Sequence, residues 1–296
     1  VYSMDEEEGV EAMSHILRTL IKLTVADANF TTIYLQHIWI LLAVDGRLTP
    51  LIVEEVINHA LDRDSENRDW KKALCLFNVL PTVEVASHII GRLMGIIKSF
   101  LPGFKLEAST QSWSELAILV KTGIPLFFES PLMAQMYLPE VLFIVSLLVD
   151  VGPNEIRSSL HELLMNVCHS LIINDALPGN NREILQGVCN TLSRQRLKFM
   201  FGFSQDKGRL LQNFSASSFA SKFAALEHFA TNIILLMECS ASSEAAHWKT
   251  RYKKYLIDAV FNSDSFLSAR AMMILGILAK TSASEILCRN LLAETM

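Results

Sequence analysis

Residues 138–173, LPEVLFIVSLLVDVGPNEIRSSLHELLMNVCHSLII, carry two helical patterns separated by a turn of a few residues. The first reads as a helix opening at Pro139, where a first turn tolerates a missing N–H, and running through the apolar stretch 141–149. Gly152 supplies a left-handed stop and Pro153 forbids continuation. The second pattern places Ile156, Leu160, Leu163 with Leu164, Val167 and Leu171 at steps of three and four, which makes one apolar stripe. A lone hairpin cannot bury both stripes, so similar hairpins must stack on either side. The expected fold is all-α: a HEAT/armadillo-like α-solenoid of stacked helical hairpins.

The rest of the chain reads the same way. Helical patterns recur over 7–26, 31–44, 50–62, 65–80, 83–100, 113–122, 131–135, 139–149, 154–173, 181–197, 217–239, 243–261, 265–280 and 283–295. Thr49 before Pro50, and Ser130 before Pro131, pair a capping hydroxyl with proline at the first helical position. Ser112 with Glu115, and Ser282 with Glu285, fit a reciprocal capping box. No window alternates with a two-residue period for a useful length, so strands are not expected. Hairpin entries recur at roughly 35 to 55 residues, the range of two- and three-helix repeats. The 296 residues therefore read as one continuous solenoid segment of a larger protein. It has a weak break near 101–111 (LPGFKLEASTQ) and a polar connection near 202–218, expected to be mobile over 205–209.

Composition narrows the function classes. Hydrophobic residues make up 51% and charged ones 19%, which excludes disorder for most of the chain and suits helices buried on more than one face. A formal net charge of −5 argues against a nucleic-acid partner. Cys75, Cys168, Cys189, Cys239 and Cys288 are odd in number, far apart and mostly inside apolar patterns. They read as buried thiols in a reducing, cytoplasmic setting, which makes the sequons at Asn29 and Asn213 chance occurrences. The opening VYSMDEEEGV lacks a signal-type apolar stretch, and the missing initial Met suggests a piece of something longer. Neither 28–44 nor 141–149 reaches the ~20 apolar residues of a membrane span, so both are expected as buried core helices.

Candidate chemistry is sparse. His161-Glu162-Leu163-Leu164-Met165 begins like a zinc-protease motif, but Met165 stands where the second imidazole is needed. His169 lies two turns along, so His161 reads as a polar edge of an amphipathic helix. Gly91 and Gly95 frame Arg92 in a small-xxx-small spacing expected to permit close helix crossing. The stretch 248–254 (WKTRYKK) mixes basic and aromatic residues, and Arg194, Arg196 and Lys198 form a second basic cluster. Either has the charge to meet acidic lipid or a phosphorylated partner. The favoured alternative for 248–254 is a solvated helix face with Trp248 and Tyr252, one turn apart, in the core. The acidic run 5–8 suits a helix start. No phosphate-cradling loop, nucleophile elbow or paired-cysteine motif occurs. No catalytic, cofactor-binding or metal-binding residue is assigned, no cofactor is expected, and the segment is expected not to be an enzyme.

The blocks TTIYLQHIW (31–39), HIIGRLMGII (88–97), 138–171, LKFMFGFS (197–204) and ARAMMILGILAK (269–280) resemble neurofibromin and its fungal IRA relatives, in the same order and at similar separations. The resemblance is closer to the fungal members. It covers nearly the whole chain and corresponds to the helical-repeat region C-terminal to a lipid-transfer-like and pleckstrin-homology-like module. It implies a parent that is a Ras GTPase-activating protein, a negative regulator working through an arginine supplied in trans. That arginine belongs to a separate catalytic domain, whose Phe-Leu-Arg motif is absent from this sequence. The expected role is therefore a scaffold that positions catalytic and lipid-binding modules. Its expected partners are the other domains of the same parent chain and a second copy in a homodimer, with Ras reached through the separate catalytic domain. The rivals are a self-contained adaptor binding a protein or peptide, and a peripheral membrane contact through 248–254.

Overall fold

The computed structural model describes residues 6–26, 32–44, 46–61, 73, 76–77, 80, 82–100, 110–175, 177–203, 216–240 and 245–281. Every regular element among the described residues is helical. The chain folds as two compact units, residues 1–93 with 114–126, and residues 94–113 with 127–296.

The first unit holds α1 (Glu6–Ala26), α2 (Thr32–Ala43) and α3 (Thr49–Leu61), with parts of α4 (Thr82–Phe100) and α5 (Thr110–Leu126). α1 packs on α3, and Leu17, Ile21 and Val25 are buried with Ile52, Val53 and Val56. Trp39 of α2 is fully buried and its indole N–H donates to Thr24 Oγ1 at 2.9 Å. A charged ladder ties the helices edge to edge. Arg18 donates to Glu55 at 2.6 Å, while Arg92 bonds Glu54 and donates to Glu115 at 2.6 Å.

Three expectations for this unit change. A π-helical turn over Leu35–Trp39 interrupts α2, and Ile33, Ile40, Leu41 and Val44 are exposed, so α2 is not a fully buried core helix. The extra residue of a π turn rotates the following side chains, and an all-round apolar helix then shows one side to solvent. Nor does Thr49 cap through its side chain: it is the first residue of α3, buried, with its hydroxyl lacking a hydrogen-bond partner among the described residues. α5 begins before Ser112 and Glu115 turns to Arg92, so that capping box is not formed either.

In the second unit α6 (Pro131–Leu148) is the central helix, with thirteen of its eighteen residues buried. α7 (Asn154–Ile172) returns antiparallel beside it and is followed by α8 (Gly179–Leu192). A short helical turn, Gln195–Lys198, and a 3-10 turn, Phe199–Phe201, lead toward α9 (Ala216–Cys239). The hairpin of α10 (Ala245–Asn262) and α11 (Ser265–Thr281) completes the unit. α8 packs on α7 and α9, and α11 on α9 and α10. α6 also meets α9, α10 and α11, beyond its neighbour α7.

The turn between α6 and α7 forms as its residues dictate. Gly152 has φ +77°, and a Cβ there would come within 2.6 Å of the Trp113 ring, so both conformation and space demand glycine. Pro139, however, does not begin a helix. α6 passes through it from Pro131, joining what spacing split into two pieces. The backbone bond that Pro139 cannot donate is outweighed by burial of the run around it, and Arg251 donates to the neighbouring Met136 carbonyl at 3.3 Å. The helix expected over 181–197 is broken at Ser193 and Arg194, which lets Phe201 turn into the core beside Phe229. As a whole, α6 is long and apolar enough by length and composition to cross a membrane, but 72% of it is buried within the fold. The helices expected over 65–80 and 283–295, the Ser282–Glu285 box and most of the 101–111 and 202–218 segments lie outside the described residues, as do Cys75, Cys288, Asn29 and Asn213.

Candidate functional site

The 248–254 stretch lies in the first half of α10, and α10 packs directly on α6. As its spacing predicts, Trp248 and Tyr252 are buried on one face. The Tyr252 hydroxyl shares a 2.9 Å hydrogen bond with Ser146 of α6, and burial pushes its pKa well above the ordinary phenol value. The cations beside them are spoken for. Lys249 pairs with Glu238 of α9 at 2.8 Å, and Arg251 pairs with Glu140 of α6. Tyr255 donates to the same Glu140 oxygen at 2.6 Å and leans on Phe143, with ring centroids 5.4 Å apart. Burial, then the bond to Glu140, raises the Tyr255 pKa. Lys254 is exposed. What looked like a cationic patch is therefore largely a polar seam between helices, since in a water-poor interface each charge needs a partner.

The seam continues at the end of α6. Arg270 of α11 is buried, donates to the Leu147 carbonyl at 2.9 Å and to that of Val149, and lies 4.9 Å from the Phe266 ring centroid. Burial lowers its pKa to about 10, with Asp150 opposing. Chemically it caps the last carbonyls of α6 where the chain leaves the helix. Sequence reasoning missed Glu140, Tyr255 and Arg270. Glu140 inside LPEVLFIV and Arg270 inside ARAMMILG were the available signal, a charge embedded in an apolar run.

His161 is buried with its ring edge-on to Phe201 (4.9 Å) and Phe203 (5.4 Å). Burial lowers its pKa, Lys198 adds to that, and a hydrogen bond to the Leu192 carbonyl opposes it. Its Nε2 has no hydrogen-bond partner among the described residues. Glu162 and His169 are exposed while His161 turns inward, so the motif's residues diverge. Among the described residues no three His, Cys, Asp or Glu side chains converge as a metal site would require. Of the second basic cluster, Arg194 is exposed and Lys198 half-buried, while the Arg196 side chain lies outside those described.

Among the described residues Gly91 and Gly95 mediate no close crossing. A Cβ at either would meet nothing within 4 Å, and both lie on an exposed face. Arg92 between them points instead into the Glu54–Glu115 ladder. Cys168, Cys189 and Cys239 are buried free thiols whose pKa values burial raises, the behaviour of small hydrophobes rather than nucleophiles.

No family model matches the chain. It is 62% identical over all 296 residues to inhibitory regulator protein IRA2 of Saccharomyces cerevisiae, and 61% identical over the same length to inhibitory regulator protein IRA1 of that yeast. In both comparisons the chain spans about one tenth of the relative's length. The similarity to the fungal IRA proteins thus extends over every residue.

Proposed function

We propose that this chain, similar along its whole length to one tenth of the IRA inhibitory regulators, is a non-catalytic helical-repeat scaffold within a Ras GTPase-activating protein. In this reading it holds the catalytic and lipid-binding modules of a longer polypeptide in place, supports assembly of a homodimer, and works in the cytoplasm. Ras is met by a separate catalytic domain. The observation that carries the reading is the 62% identity to a tenth of IRA2 along the whole of this chain, joined to an all-α structure whose buried charges are engaged in holding helices together. Stacked helices of this kind transmit position because each is fixed by its neighbours.

The test uses the full-length protein and its isolated catalytic domain side by side. Substituting Gly152→Leu in the full-length protein should disturb the α6–α7 hairpin and lower dimer content in sedimentation. The catalytic domain on its own should retain its stimulation of Ras GTP hydrolysis. Stimulation by the purified 296-residue chain itself would overturn the non-catalytic reading. A peripheral lipid contact is the second reading, favoured by exposed Lys254. Under the scaffold reading Lys254→Glu leaves binding to phosphatidylserine vesicles unchanged.

A further inference from the structure

The passage from α8 toward α9 is fastened at one imidazole. The His161 ring, buried on α7, meets Phe201 and Phe203 of the turn that follows α8, with centroids 4.9 Å and 5.4 Å away. One ring nitrogen bonds the carbonyl of Leu192, the last residue of α8, while Nε2 has no hydrogen-bond partner among the described residues. Phe201 lies 5.8 Å from Phe229, so His161 also bears indirectly on α9.

The turn itself is lightly held. Phe199 and Phe203 are exposed, and Met200 and Phe201 point inward. Gly202 closes it at φ +81°, with Asn154 packed where a Cβ would stand. The Gly202 and Phe203 N–H groups donate within the turn, to the Phe199 and Lys198 carbonyls, and the Asp150 N–H donates across to the Met200 carbonyl at 3.0 Å. A segment tied down by so few groups opens more readily than the helices around it.

Neutral His161 fits this place and the imidazolium does not. Protonation puts a new N–H at Nε2, where no acceptor waits among the described residues, and a charge into water-poor packing. The surrounding charges do not offset it. Lys198 of the turn acts on His161 with the same sign. On α7, Arg157 is bonded to Asp150 and Asn154, and Glu162 is exposed. Arg194 after α8 is exposed, as are Glu227 and His228 of α9, and Cys189 of α8 is a buried thiol.

We propose that neutral His161 latches the connection between α8 and α9, and that its protonation in mild acid frees the 199–203 turn while the helices stay folded. The chain thus carries a proton-sensitive joint between two of its helices. This goes beyond the scaffold role and does not depend on it.

Hydrogen exchange of the full-length protein, read by mass spectrometry and corrected for intrinsic rates, tests the latch on peptides covering 149–151 and 195–203. Below about pH 6.5, the ordinary imidazole value, their protection should fall by as much as tenfold per pH unit. At every pH it should stay at least tenfold below that of α10 and α11, which marks opening of the turn alone. His161→Asn, which keeps a donor for the Leu192 carbonyl but does not titrate, should abolish the fall, and so should His161→Leu. Protection that is flat with pH in the wild type, a fall that persists in either variant, or protection equal to that of α10 and α11 would overturn the proposal. The wild-type profile decides even if a variant does not fold.

Discussion

Gly152, Arg251 and His161 each concentrate a different physical constraint. Gly152 couples a left-handed backbone to a tryptophan ring lying where a Cβ would be. Gly152→Ala should therefore cost about 2 kcal/mol or more, from the αL penalty together with overpacking, read as a lowered urea midpoint. Removing Arg251 leaves Glu140 buried with Tyr255 alone to satisfy it. Arg251→Ala should destabilise by about 2–3 kcal/mol, below the range for a fully buried pair because Arg251 is partly exposed. Arg251→Ala with Glu140→Ala should cost less than the sum of the single changes. His161 favours its neutral form in the fold because burial lowers its pKa below the ordinary value. Its contribution is thus intact above pH ~6.5 and is lost as pH falls from there toward the depressed folded value. The urea midpoint of the wild type should drop between pH 7 and 5, and His161→Leu should flatten that drop. A wild-type midpoint independent of pH across this window would contradict the assignment.

At the scale of elements, α6 decides the second unit. Its last carbonyls are satisfied from another helix by Arg270. Arg270→Met, which keeps the length and apolar bulk but removes the donors, should destabilise by about 2 kcal/mol and increase amide exchange at the α6 C-terminus. Element boundaries were readable where local chemistry sets them. α7 starts after Pro153 and its stripe of Ile156, Leu160, Leu163 and Leu164, Val167 and Leu171 is buried as spaced. They were unreadable where a distant partner changes the balance. Pro139 ordinarily signals a start, but here the helix continues through it because the flanking residues are buried on several sides. The hydroxyl of Ser130 shows the same limit. The residue is the N-cap of α6 but caps with no side-chain bond, and its backbone N–H goes to Ser170.

For the whole molecule, the all-α stacking of hairpins follows from periodicity alone, whereas the way α6 is enclosed does not. Tyr252 and Ser146 are 106 positions apart, and Arg270 and Leu147 are 123 apart, so no window of sequence contains both partners. Pairings of such separation tie α6, α10 and α11 into one packed unit. Cys168 and Cys189, buried within it, should react with a thiol reagent only as fast as the unit opens, with protection lost at the same urea concentration as helical signal. Reaction of both thiols well before that midpoint would show that α7 and α8 open independently.

The sequence by itself determined what depends on neighbours a turn or two away: helices rather than strands, an apolar stripe on each, and a glycine where the chain must reverse. Tertiary structure decided which charges are consumed. Lys249 and Arg251 read as surface cations until α9 and α6 bring Glu238 and Glu140 to them. The physical reason is that a side chain's environment is set by whatever packs against it, and in this fold the packing partners lie far along the chain.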